Sequence, residues 1–231
     1  MAAAARTEEL IERHTLAIEG GGQVSALLSR PANARACYVL AHGAGAGMQH
    51  PFMSAAALGL AQRGIATLRY QFPYMERGSR RPDPPLLCHA TVRAAAAACA
   101  QLMPALKLIA GGRSFGGRMT SQAQALAPLA SVRGLAFLGF PLHPAGRPSE
   151  SRAEHLAHVR IPMLFLQGTR DALAERVRME AVIARLGARA HVHWLEDADH
   201  AFHVPARTGR TDAQLRELLL DALCAWVDGL P

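Results

Sequence analysis

Apolar and polar positions change period repeatedly along this chain. "ACYVLA" (36–41) is an unbroken apolar run ending at His42-Gly43, the pattern of a strand buried on both faces. "GIATLRY" (64–70), "LKLIAGG" (106–112), "GLAFLGF" (134–140), "PMLFLQG" (162–168) and "AHVHWLE" (190–196) predict further strands. Near the N-terminus, "TLAI" (15–18) and "QVSALLSR" (23–30) flank a glycine turn and predict a hairpin. Between these runs, residues 52–63, 86–103, 115–127, 173–186 and 211–228 carry helical patterns. In the last of them Leu215, Leu218, Leu219, Ala222, Leu223 and Trp226 form one apolar stripe, with Thr211 or Asp212 as its cap.

Alternation of this kind predicts an α/β fold: a mostly parallel central sheet with helices on both faces. The 231 residues show no internal repeat and no long linker, so the expectation is one domain over 1–231, with 1–14 as a loosely ordered N-terminus. Sites in such sheets form beyond the carboxyl ends of the strands. The residues that follow each strand are therefore the ones to inspect.

Three strand ends carry matching chemistry. Ser114 follows "LKLIAGG", Asp171 follows "PMLFLQGTR" and His200 follows "AHVHWLEDAD". A serine hydroxyl needs a base within hydrogen-bond reach, and the base needs an orienting carboxylate. Gly112-Arg113-Ser114-Phe115-Gly116 also satisfies G-x-S-x-G, a sharp strand-to-helix turn that holds its serine at a helix N-terminus. The Phe115 N–H would be one oxyanion donor. A second would come from "HGAGAG" (42–47), from Ala44 or, as the alternative, Gly45. Loss of one such donor costs about 3–4 kcal/mol of barrier in hydrolases.

Other residue types leave competing roles open. Asp171 also suits the N-cap of the helix after it, and Asp197 and Asp199 are rival acids. His50 either enters the pocket or opens the next helix, while Phe72 and Tyr74 are expected to line the site. Arg113 and Arg118, flanking the serine, either meet an acidic substrate or are plain surface charges. "HAFH" (200–203) lacks the further ligands of a zinc motif, so no metal and no cofactor is expected. Twenty-one residues (141–161) between the "GLAFLGF" and "PMLFLQG" strands are too few for a cap domain, which predicts an open site, with loop 71–88 as a possible rim.

The formal charge is +7, which raises nucleic acid as a partner. The arginines are scattered apart from Arg77, Arg80 and Arg81, and Lys107 is the only lysine, so no nucleic-acid partner is expected. The longest Ala/Cys run (94–100) is far short of a membrane span, and no membrane association is expected. Four cysteines without metal spacing suit a reduced, cytoplasmic setting.

Together, "LAHGAGAGM", "GGRSFGG", "GTRD" and "DADHAF" resemble the α/β-hydrolase superfamily over roughly residues 15 to 229. "HGAGAGMQHPFM", "LRYQFPYMERG" and "GGRSFGGRM" resemble a narrower branch related to dienelactone hydrolases, which includes testis-expressed hydrolase-like proteins and a subunit of a chromatin acetyltransferase complex. The resemblance implies Ser114 as nucleophile, Asp171 as acid and His200 as base, acting on a small ester-type substrate without a cofactor. Dienelactone hydrolase proper uses a cysteine where this chain has Ser114, so its substrate is not carried over. The competing expectation is a non-catalytic interaction module on the same fold; the presence of all three residue types favours a serine hydrolase of carboxylesterase type.

Overall fold

The computed structural model describes residues 10–20 and 22–231. Eight strands form one sheet: β1 (Leu10–Ile18), β2 (Gly22–Arg30), β3 (Ala36–Ala41), β4 (Ile65–Tyr70), β5 (Lys107–Arg113), β6 (Val132–Leu138), β7 (Met163–Gly168) and β8 (Ala190–Leu195). Their spatial order is β1-β2-β4-β3-β5-β6-β7-β8. β3 to β8 run parallel, while β1 and β2 form an antiparallel hairpin, with β2 joined antiparallel to β4.

The described residues contain six α-helices: α1 (Pro51–Gln62), α2 (Pro73–Glu76), α3 (Pro85–Leu102), α4 (Phe115–Leu126), α5 (Arg176–Leu186) and, after the last strand, α6 (Asp212–Asp228). Alternate residues of β3 show how the sheet is covered. Cys37, Val39 and Ala41 join the core under α3, α4 and α5, whereas Ala36, Tyr38 and Leu40 join the core under α1 and α6. Both sets are buried, which is why this strand is an apolar run without alternation. At the sheet edge, β8 regains alternation, with His191 and His193 exposed.

Thr211 caps α6 through a reciprocal bond pair with Gln214. The buried stripe runs through Leu215, Leu219, Leu220, Leu223, Cys224 and Val227. Burial of each leucine stabilises the fold by about 1.5–3 kcal/mol. Leu218 departs from the expected stripe: it is 45% exposed, because the helix turns its sheet-facing side toward Leu220 and Cys224.

Three elements differ from expectation by two residues or more. β1 begins at Leu10, so residues 10–14 belong to the hairpin, and 1–9 lie outside the described residues. β6 covers 132–138, two residues earlier than expected, because Gly139 takes φ +71° and turns the chain out of the sheet. α5 starts at Arg176 rather than 173; the preceding residues are held in turns around Asp171. Between β6 and β7 there is only a short 3-10 segment (Ser151–His158), with no cap domain.

Candidate active site

Ser114 occupies the single residue between β5 and α4, with φ 49° and ψ −113°. A non-glycine residue there stores strain of about 1–3 kcal/mol. Its surroundings force the turn. The Ser114 N–H bonds the Leu138 carbonyl of β6 at 3.1 Å. On the other side the end of β3 presses against the turn: a Cβ on Gly112 would lie 2.3 Å from the Ala41 oxygen, and one on Gly116 2.5 Å from the His42 oxygen. Only glycine fits either position.

The Ser114 hydroxyl lies 2.8 Å from His200 Nε2, and His200 Nδ1 lies 2.7 Å from Asp171 Oδ2. With Nδ1–H donating to Asp171, Nε2 is free to accept the serine O–H. Asp171 is itself buried and held on every side. Gln167 Nε2 donates to its Oδ2 at 2.5 Å, and the Leu173 N–H donates to Oδ1 at 2.8 Å. Gln167 in turn accepts the Phe140 N–H at 2.9 Å. The helix-cap role considered for Asp171 falls to Glu175 instead.

Of the rival acids, the Asp199 carboxylate is engaged within the His200 loop, and neither acid bonds the His200 ring. Asp199 Oδ1 accepts the Ala201 and His203 N–H groups at 2.8 and 2.9 Å. The Asp197 N–H is held by Thr169 Oγ1, and His203 pairs with Asp212. Among the described residues no group of three histidine, cysteine or acidic side chains is arranged to hold a metal.

His42 organises the second loop. It is fully buried, and burial pushes its pKa down to about 4, so the ring is neutral. Nε2 accepts the Phe72 N–H at 3.1 Å, which puts the proton on Nδ1, donated to the Gly43 carbonyl at 2.8 Å. That carbonyl also accepts the Ala46 N–H, so the peptide plane carrying the Ala44 N–H is fixed from two directions. The Gly45 N–H is taken by the Tyr74 hydroxyl at 3.3 Å. Among the described residues the Ala44 N–H has no hydrogen-bond partner.

A cleft of about 430 Å³ opens beside Ser114, walled by Ala44, Phe115, Pro82, Pro141 and Leu173. Pro82 belongs to the 71–88 segment named as a rim. Phe72 and Tyr74 do not line it, contrary to expectation. Both are wholly buried, stacked on each other at 6.2 Å and edge-on to His42, so they support the loop from behind. His50 is the N-cap of α1, its Nδ1 accepting the Phe52 N–H at 3.2 Å. Burial first, and then the charge of Arg113, lowers its pKa. Arg113 itself lies 4.4 Å over the Phe52 ring, not free in solvent, and Arg118 lies in the cleft wall.

A serine held at a strained turn between a parallel strand and a helix, on a sheet of this order, is the arrangement of the α/β hydrolases. The chain belongs to that family: the sequence model of the alpha/beta hydrolase domain matches residues 34–228. Among solved structures it is similar to an alpha-beta serine hydrolase homologue from Coxiella burnetii (20% identity, TM-score 0.73, 92% of this chain and 97% of the other). A serine hydrolase without a lid from Xanthomonas campestris matches with 21% identity and TM-score 0.73, over 96% and 97%. A dienelactone hydrolase from Anabaena variabilis matches with 20% identity and TM-score 0.74, over 93% and 96%. At these identities the likeness is one of fold.

Proposed function

We propose that this protein is a serine hydrolase that cleaves a small carboxylic ester through an acyl-enzyme on Ser114. The observation that carries the proposal is the continuous chain from Ser114 Oγ through His200 to Asp171, with links of 2.8 and 2.7 Å. His200 takes the serine proton as Oγ attacks the ester carbonyl, and returns it to the departing alkoxide. Asp171 orients the ring and stabilises the imidazolium, while Gln167 and the Leu173 N–H keep the carboxylate in place. In the second half, His200 activates water to release the acid.

The oxyanion sits between the N–H groups of Phe115 and Ala44 in this proposal. The unpartnered Ala44 N–H supports that choice, as does the engagement of Gly45 by Tyr74. The cleft of about 430 Å³ and the lack of a cap domain favour a short ester.

The test is turnover of 4-nitrophenyl acetate and butyrate by the wild-type protein and by Ser114→Ala. Saturable hydrolysis that disappears in the variant supports the proposal; equal rates in both, or none in either, refute it.

A further inference from the structure

Two arginines face the cleft with no carboxylate in ion-pair contact among the described residues. Arg118 lies one helical turn beyond Ser114, its N–H bonded to the Ser114 carbonyl at 3.1 Å, so both side chains project from the same end of α4. Arg152 reaches the same cleft from the 3-10 segment after β6. Among the described residues neither guanidinium forms a hydrogen bond or an ion pair, and Arg118 Nε is buried with no partner. The Arg118 guanidinium lies 5.7 Å over the Phe115 ring.

Both groups are held at a cost. Burial lowers the Arg118 pKa, and the charge of Arg152 lowers it further. Burial lowers that of Arg152 as well. Nearby His155 is neutral, its pKa pushed down to about 4 by burial and by Arg118. Asp83 also lines the cleft; its Oδ1 pairs with Arg77 at 2.5 Å, while its buried Oδ2 has no partner among the described residues. By contrast, Arg63 pairs with Glu217 and Asp221, and Arg35 with Asp228. Two unpaired cations sharing a half-buried wall favour the entry of an anion.

We propose that Arg118 and Arg152 form a subsite for a carboxylate carried by the substrate, so that the ester cleaved at Ser114 is a half-ester of a short dicarboxylic acid. The assignment rests on the serine-hydrolase proposal above and narrows its substrate class. A guanidinium fork matches a carboxylate in two parallel bonds, and the apolar walls formed by Pro82, Pro141 and Leu173 suit the methylene chain between the two ends.

The experiment compares kcat/KM for mono-4-nitrophenyl adipate, which carries one free carboxylate, with that for 4-nitrophenyl hexanoate, which carries none. The ratio of the two is read within each protein. The expected result is a ratio well above one in wild type that falls tenfold or more in Arg118→Gln and in Arg152→Gln. Arg118→Lys, which keeps the charge and loses the fork, retains part of it. Arg133→Gln, at the opposite end of the sheet, controls for net charge. An unchanged ratio in both cleft variants, or an equal fall in Arg133→Gln, overturns the inference while leaving the hydrolase proposal intact. If neither ester is cleaved, the hydrolase proposal fails, and calorimetric titration of adipate into the wild-type protein decides the subsite alone. Binding that weakens tenfold in the cleft variants supports it, and no binding to wild type overturns it.

Discussion

Two glycine-rich turns meet at the site, "HGAGAG" after β3 and "GGRSFGG" after β5, and they use their glycines in opposite ways. In the β5 turn the glycines are fixed by contact. Gly112 and Gly116 lie against the backbone of Ala41 and His42 with no room for a methyl group. In the β3 turn the first glycine has space: a Cβ on Gly43 would meet only the Arg113 oxygen at 3.8 Å. There the rigidity comes from a side chain instead, the buried His42 ring bridging the Phe72 N–H and the Gly43 carbonyl. Similar composition thus conceals two devices. One is strain held by close packing; the other is a loop held by a neutral histidine.

The largest effect that separates them is at the strained residue. Ser114→Gly removes the proposed nucleophile and relieves φ 49° together. Ester hydrolysis should fall by on the order of 10⁵-fold, while stability in urea rises by about 1 kcal/mol. A variant that loses stability would contradict the strain argument. Next, Gly112→Ala should destabilise the fold by about 3 kcal/mol or more, read as a lower urea midpoint, because no neighbouring backbone can retreat.

The histidine-held loop should respond to acid. His42 is buried neutral with a pKa near 4, against about 6.5 when unfolded. Between those values the unfolded chain binds a proton that the folded chain does not, so stability is full above about pH 6.5 and declines toward pH 4. The loss from this ring is about 3 kcal/mol. His155, also near 4, adds to the same decline. His42→Gln, which keeps one donor and one acceptor, should flatten the slope in part; an unchanged slope would remove His42 as its source. Behind both turns, Gln167→Met takes one donor from Asp171 and should lower kcat/KM about tenfold, as loss of a hydrogen bond worth about 1.5 kcal/mol. Smallest of all, Gly43→Ala should change stability by less than about 1 kcal/mol. A large loss there would erase the contrast between the two turns.

Much of this was legible in the chain. Apolar runs such as 36–41 mark strands because the sheet is buried on both faces, and the chemistry falls at strand ends because helices occupy those faces. Ser114, Asp171 and His200 stand out for that reason. What the pattern hides is pairing. Phe72 and Tyr74 follow a strand end, where an aromatic looks the same whether it lines a pocket or supports one. Gln167 was the one polar residue in an apolar strand, a signal present but silent about its partner. Leu218 matched the helical period and still faces outward, because periodicity locates a stripe only to within about one residue's rotation. Arg118 and Arg152 are 34 residues apart, and only the fold brings them to one wall.

The central claim is that Ser114 is activated by His200, and a fluorophosphonate probe tests it most directly. After labelling and digestion, mass spectrometry should find the phosphonyl adduct on the peptide carrying Ser114 in the wild-type protein and on none in His200→Ala. No adduct on wild type, or equal labelling of Ser114 without His200, would contradict the account.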